Sequence, residues 1–170
     1  MTYNASAEAL QIGALQEQTH HVLFVHGTLG HLDSSDSAAG SVSRQSDGLH
    51  LNIAQANGQA TVHLPIPTTL VFGQARVSVR SVVLDFIAGP DLRVIKVQVF
   101  DGNTLKASFE NLTLTGDQRF QEFEIPGHVA MTRGINVAVT ASRGIEAKGD
   151  ILFIAMGAIF IVKGGIIAPT

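Results

Sequence analysis

Two histidines and three aspartates are the residues of this sequence best spaced to do chemistry. Neutral imidazole is the commonest transition-metal ligand among side chains. His50 and His63 flank Asn57-Gly58, a dipeptide suited to the centre of a type I′ hairpin turn. Setting Ala56 opposite Gln59 pairs LHLNIAQ with QATVHLPI and Asn52 with His63, which makes His50 a diagonal neighbour of His63. Two such residues on the hairpin's polar face have Cβ atoms about 7 Å apart. No local motif offers a third ligand, so the pair is an incomplete metal site, and polar-face or subunit-contact histidines are the competing reading. Asp33, Asp36 and Asp47 crowd one Ser/Gly-rich stretch, and clustered carboxylates suit calcium. Their spacing matches no EF-hand, and solvated loop acids are the ordinary alternative. His20 and His26 share a strand face, but six residues at roughly 3.3 Å each separate them by about 20 Å, too far to share an ion.

Other chemistry finds less support. There is no G-x-S-x-G elbow to expose a serine nucleophile. Gly27-Thr28-Leu29-Gly30 is too short for a phosphate loop. Cysteine is absent, which removes disulfides, thiolate metal sites and a Cys nucleophile. No catalytic residue and no cofactor are expected.

The elements that must carry these residues are strands. The central stretch, Ala75 to Gly116, reads as three strands punctuated by Gly89-Pro90-Asp91 and Asp101-Gly102-Asn103, both turn chemistry. Val97 and Val99 alternate with Lys96 and Gln98, and Leu105, Ala107 and Phe109 alternate with Lys106, Ser108 and Glu110. Period two buries one face and leaves the other wet. Val77 and Val79 then give way to Val82, Leu84 and Phe86 at the opposite parity, the signature of a β-bulge.

Before this stretch, His20 to Gly27 forms a strand, apolar on both faces, and Leu32 to Gly48 reads as a long surface loop. Pro65 and Pro67 end the strand after the hairpin. Beyond it come strands at 119–125 and 134–142, the latter with Ile135, Val137, Val139 and Ala141 inward. A final run, Asp150 to Lys163, is apolar at nearly every position, with a break expected at Gly157. About nine strands with short turns make an all-β fold, an antiparallel, jelly-roll-like β-sandwich. The chain divides into an N-terminal arm at 1–19, a sandwich domain at 20–163 and a C-terminal tail at 164–170. Ser6 could cap a helix carrying Ala9, Leu10 and Leu15, but Gly13 costs it about 1 kcal/mol, and an extended arm fits equally.

Composition bounds the function. Charged residues make up 15% of the 170 and the net charge is −3, which offers nothing to nucleic acid. Hydrophobic residues reach 45%, yet no run of eighteen apolar positions exists to span a bilayer. The N-terminus has no signal-peptide pattern, so the expected location is the cytoplasm, or outside the cell in a processed form.

Together, His26-Gly27, His63-Leu64-Pro65-Ile66-Pro67, Asp101-Gly102, Leu114-Thr115-Gly116-Asp117 and Met156-Gly157-Ala158-Ile159-Phe160 resemble an uncharacterised bacterial β-sandwich family, domain of unknown function 6623, over residues 22 to 162. The resemblance implies a compact all-β domain and carries over no activity, cofactor or site residue. The chain departs from that pattern in about twenty extra N-terminal residues, in the Gly-Gly-Ile-Ile tail, and in Ile159 where an acidic residue is expected.

With an apolar last strand, an apolar tail and an N-terminal arm all beyond what one sandwich needs, the sequence predicts a non-enzymatic structural or interaction protein. Its partner is a second copy of itself, in a homo-oligomer or filament built through Leu10, Ile12, Leu15, Phe160, Ile166 and Ile167. The first alternative is a monomeric ligand- or carbohydrate-binding sandwich, which the absence of Trp and the presence of a single Tyr, Tyr3, argue against, because sugar platforms use exposed aromatics; a His-based metal-binding protein or an enzyme ranks below it.

Overall fold

The computed structural model describes residues 18–36, 40–67, 71–72, 75–146 and 149–163. In chain order the strands are β1 (Gln18–His26), β2 (His31–Leu32), β3 (Gly40–Gln45), β4 (Gly48–Ile53), β5 (Gln59–Ile66), β6 (Val71–Phe72), β7 (Ala75–Ala88), β8 (Leu92–Asp101), β9 (Thr104–Phe109), β10 (Gly116–Ala130), β11 (Ile135–Arg143) and β12 (Ile151–Lys163). They form two antiparallel sheets. One runs β10-β7-β12-β4-β3, with β1 also on β12 and β6 on β7; the other runs β2-β5-β11-β8-β9. The all-β sandwich expected from the alternation is therefore the fold, with ten strands of six or more residues and two of only two. No helix among the described residues is long and apolar enough to cross a membrane.

The core lies between the sheets. From one side come Leu49, Leu51, Val82, Leu84, Phe86, Phe153 and Met156, from the other Val62, Leu64, Val94, Val97, Val137 and Val139, each at most 1% exposed. Ile135, Val137, Val139 and Ala141 point inward as expected. The phase change in β7 is a bulge at Arg80: Val79 faces Phe160 and Ser81 faces Ile159, so Arg80 is the extra residue.

Several local expectations are corrected by pairing between distant segments. The β4–β5 hairpin does not form. The turn exists, with the Gly58 N–H donating to the Gln55 carbonyl at 3.0 Å, but only Asn57 of the central pair takes a positive φ, 56°. A type I′ turn needs both. The two strands enter different sheets and bury their apolar faces against each other across the core. The 32–48 loop contains β3, which pairs with β4 from Gly40 opposite Ile53 to Gln45 opposite Gly48. Its Ser, Arg and Gln side chains stay exposed, because an edge strand needs only its backbone ladder to be held. Leu105, expected on the dry face, is 49% exposed. Val99 faces Ala107 and Phe100 faces Leu105, so Lys106 is an extra residue that shifts the phase.

Nor does β12 break at Gly157. It runs continuously between β7 and the β1/β4 edge, and Gly157 is there because the Phe24 ring lies over it, 2.6 Å from where a Cβ would sit. Phe160 is only 5% exposed and belongs to the core, so it is not a surface contact. The other proposed assembly residues, Leu10, Ile12, Leu15, Ile166 and Ile167, lie outside the described residues, as do the C-terminal tail and residues 1–17 of the N-terminal arm, whose last two residues, Gln18 and Thr19, belong to β1.

Candidate functional site

The outward face of the five-stranded sheet holds a concave cleft. β11 alternates, so that burying Val137, Val139 and Ala141 turns Asn136, Thr140 and Ser142 outward. On β5 the same parity presents Gln59, Thr61 and His63. The register stacks these in rows: Gln59, Ser142 and Arg93 across β5, β11 and β8, then Thr61, Thr140 and Lys96. β8 carries a bulge, since Thr140 faces Lys96 and Ala141 faces Val94, leaving Ile95 as the extra residue. Ile95 and Lys96 are consequently both half-buried on the cleft side, where regular alternation would place only one of them.

Two walls rise from this floor. After β9 the chain turns through Asn111, at φ 56°. Leu112 and Leu114 then hydrogen-bond back to β8, with N–H···O distances of 2.9 Å to Ile95 and 3.2 Å to Val94. Asn57 and Arg143 form the opposite wall, tied together where the Arg143 N–H meets the Gly58 carbonyl at 3.0 Å. The cleft between them has a volume of about 650 Å³, in the range of small-molecule sites. Thr140 and Ser142 on its floor are 6% and 8% exposed. Their hydroxyls are engaged: Thr140 Oγ1 lies 3.1 Å from Thr61 Oγ1, and Ser142 Oγ accepts from Arg93 Nε at 3.2 Å.

The residues singled out in the sequence fall elsewhere. His50 and His63 are not neighbours; they stand on the outer faces of opposite sheets. His63 donates from Nε2 to Asp33 Oδ2 at 2.9 Å and accepts at Nδ1 from the Asn136 amide at 2.9 Å, with the His31 ring stacked 5.4 Å away. The His63 hydrogen bond, helped by the Ser35 N–H and hydroxyl, holds the Asp33 carboxyl well below the usual carboxylate range. Asp36 accepts the Thr61 N–H at 2.6 Å. Both aspartates thus pin their loop to β5. Among the described residues no group of three or more His, Asp or Glu side chains could hold a metal ion.

Asp47 lies apart from them, with His50 clamped between it and Asp150. The ring's Nε2 is 3.0 Å from Asp47 Oδ1 and its Nδ1 2.6 Å from Asp150 Oδ2. Two acceptors suit an imidazolium, and the bond to Asp47, followed by that to Asp150, raises the His50 pKa above 6.5. A raised folded-state value means that the contribution to stability is complete below about pH 6.5 and is lost as the pH climbs through the folded value. His50→Gln is expected to lower the melting temperature by more at pH 5.5 than at pH 9. The effect is modest, because Asp47 and Asp150 are 53% and 41% exposed and screened by water. An equal loss at both pH values contradicts the clamp.

The described residues thus make an antiparallel β-sandwich with a ligand-sized polar cleft on one sheet. A family of unknown function (DUF6623) matches residues 19–163, and the chain belongs to that family. No curated protein sequence matches it. Among solved structures, a family 35 carbohydrate-binding module from Clostridium thermocellum is 9% identical, with 80% of this chain and 97% of that one covered and a TM-score of 0.43. The low-affinity xylan-binding module CBM86 from Roseburia intestinalis is 15% identical, with 81% and 94% covered and a TM-score of 0.42. An exo-β-1,3-galactanase from Phanerochaete chrysosporium is 15% identical over 84% of this chain, at a TM-score of 0.39, and the match spans only 29% of that longer protein.

Proposed function

We propose that the chain is a non-enzymatic binding module whose polar cleft takes a saccharide. The observation that carries this is the pair of nearly buried hydroxyls, Thr140 and Ser142, at the base of a 650 Å³ cleft on the solvent side of a sheet. Polar side chains on an uncovered sheet face are ordinarily well exposed; here they are recessed between two walls. The lining alternates hydroxyl, amide and cationic groups, a mixture of donors and acceptors that suits a polyhydroxylated ligand. Ile95 and Leu112 supply apolar surface for the C–H face of a sugar ring. Among the described residues no aromatic ring lines the cleft, so recognition is by hydrogen bonds and shape rather than stacking. The full chain is expected to retain saccharides on a glycan microarray, and a cleft-filling Ser142→Trp variant is expected to retain none of them. Identical retention by both proteins removes the cleft from the account.

A second reading, self-association into a homo-oligomer, is supported by the opposite sheet. β1 is hydrogen-bonded to β12 and to no other described strand, and contains neither proline nor lysine to blunt its edge. Val22, Phe24 and Phe120 are 54%, 43% and 65% exposed on that sheet, with the two phenyl rings in edge contact at 5.9 Å. On this reading the full chain scatters light above its monomer mass and Phe24→Glu returns it to the monomer. A wild-type chain that stays monomeric at high concentration excludes it.

A further inference from the structure

Resting on the saccharide reading, we propose that the sugar the cleft takes carries an acidic group, received by Arg93 and Lys96. The cleft is lined by three cationic side chains, Arg93, Lys96 and Arg143, against one carboxylate, Glu110, in a chain whose net charge is −3. Arg143 is engaged elsewhere, donating from Nη1 to the Ile53 and Ala54 carbonyls at 2.7 and 3.2 Å, so the positive character of the cleft rests on Arg93 and Lys96. Glu110 accepts the Ser108 hydroxyl at 3.0 Å and forms no ion pair with Arg93 or Lys96 among the described residues. Arg93 spends Nε on Ser142 Oγ, which fixes the guanidinium over the floor, while its two Nη groups have no protein partner among the described residues. The Lys96 ammonium has none there either.

Lys96 owes its place to the bulge at Ile95. Without the extra residue, Lys96 would take the inward parity of Val94. The bulge costs the ladder a pairing and returns a cation, one row from Arg93, to the cleft face. A guanidinium fork with free Nη donors beside an ammonium matches a carboxylate or a sulfate ester, each of which accepts several charge-assisted hydrogen bonds. Neutral sugars would use the floor hydroxyls and leave both cations without an anion.

The test is an array of matched glycans probed with the full chain: galacturonate, glucuronate and mannuronate oligomers, the methyl esters of each, sulfated galacto-oligosaccharides, and neutral hexose oligomers. Methyl esterification removes the charge and leaves the ring unchanged. The acidic members are expected to bind at least about 10-fold more tightly than their esters in low salt, and the gap is expected to close at high ionic strength. Arg93→Gln and Lys96→Gln are each expected to narrow the gap, weakening the acidic members by more than their esters. The uronate and sulfate arms show which anion is preferred, and preference for either over neutral glycans supports the proposal. Equal binding of acid and ester, or a gap that neither substitution narrows, overturns it and leaves the saccharide reading standing. Retention of no glycan at all overturns both.

Discussion

Asp101→Ala is expected to destabilise the fold by about 3 kcal/mol, over a hundredfold in the folding equilibrium. Asp101 ends β8 at 3% exposure. Its Oδ1 accepts the N–H groups of Thr132, Arg133 and Gly134 at 3.0, 2.6 and 3.2 Å, and its Oδ2 accepts the Thr132 N–H and hydroxyl at 2.9 and 2.7 Å. One carboxylate therefore holds the whole connection from β10 into β11. Alanine leaves three backbone donors with no acceptor, and each charge-assisted bond to a buried group carries about 1.5–3 kcal/mol before relaxation and solvent recover part of it. Burial, the largest single influence, acts to raise the Asp101 carboxyl, but the bonds from Thr132, Arg133 and Gly134 together outweigh it and hold the group below 3.8. A depressed folded-state value gives stability that is present above the ordinary carboxylate pKa and lost as the pH falls through the folded one. Urea denaturation of Asp101→Ala at neutral pH is expected to show the deficit, and the deficit is expected to shrink toward pH 3. A variant within 0.5 kcal/mol of wild type, read against the size expected of such bonds, contradicts this role. The residue bears on the cleft as well, because it fixes the start of β11, the strand that carries Thr140 and Ser142.

Asp101-Gly102 was legible as a hairpin turn, since Gly102 takes φ 60° there. That its carboxylate would cap a connection thirty residues on was not, because nothing local marks the partner. The same division runs through the fold. The alternation in β11 and the phase change at Arg80 are written in consecutive residues and could be read directly. The alternation of Lys96 and Gln98 with Val97 and Val99 put Lys96 on the wet face directly, and the phase change between Val94 and Val97 marks the bulge that brings it there. What could not be read is which strand lies beside which. Turn chemistry at Asn57-Gly58 favours a hairpin, yet the fold separates β4 from β5 and gives β5 to β11 instead. The metal candidates depended on the first pairing and the cleft depends on the second. Gly157 was similarly ambiguous alone; only the Phe24 ring above it explains a glycine inside a continuous strand.

The cleft itself is tested most directly by filling it. Ser142 sits on the floor at 8% exposure with open volume above it, so an indole at this position has room in the cleft without entering the core. Isothermal titration with the tightest glycan from the array is expected to show at least a hundredfold loss for Ser142→Trp, because the side chain occupies the ligand's place. Thr140→Val keeps the shape and removes one hydroxyl, and is expected to lose about 10-fold, the worth of a single recessed hydrogen bond of about 1.4 kcal/mol. Unchanged urea midpoints for both variants would separate lost binding from lost folding. If the wild-type chain binds and both variants bind as well as it does, the ligand sits elsewhere on the sandwich and the central claim is wrong.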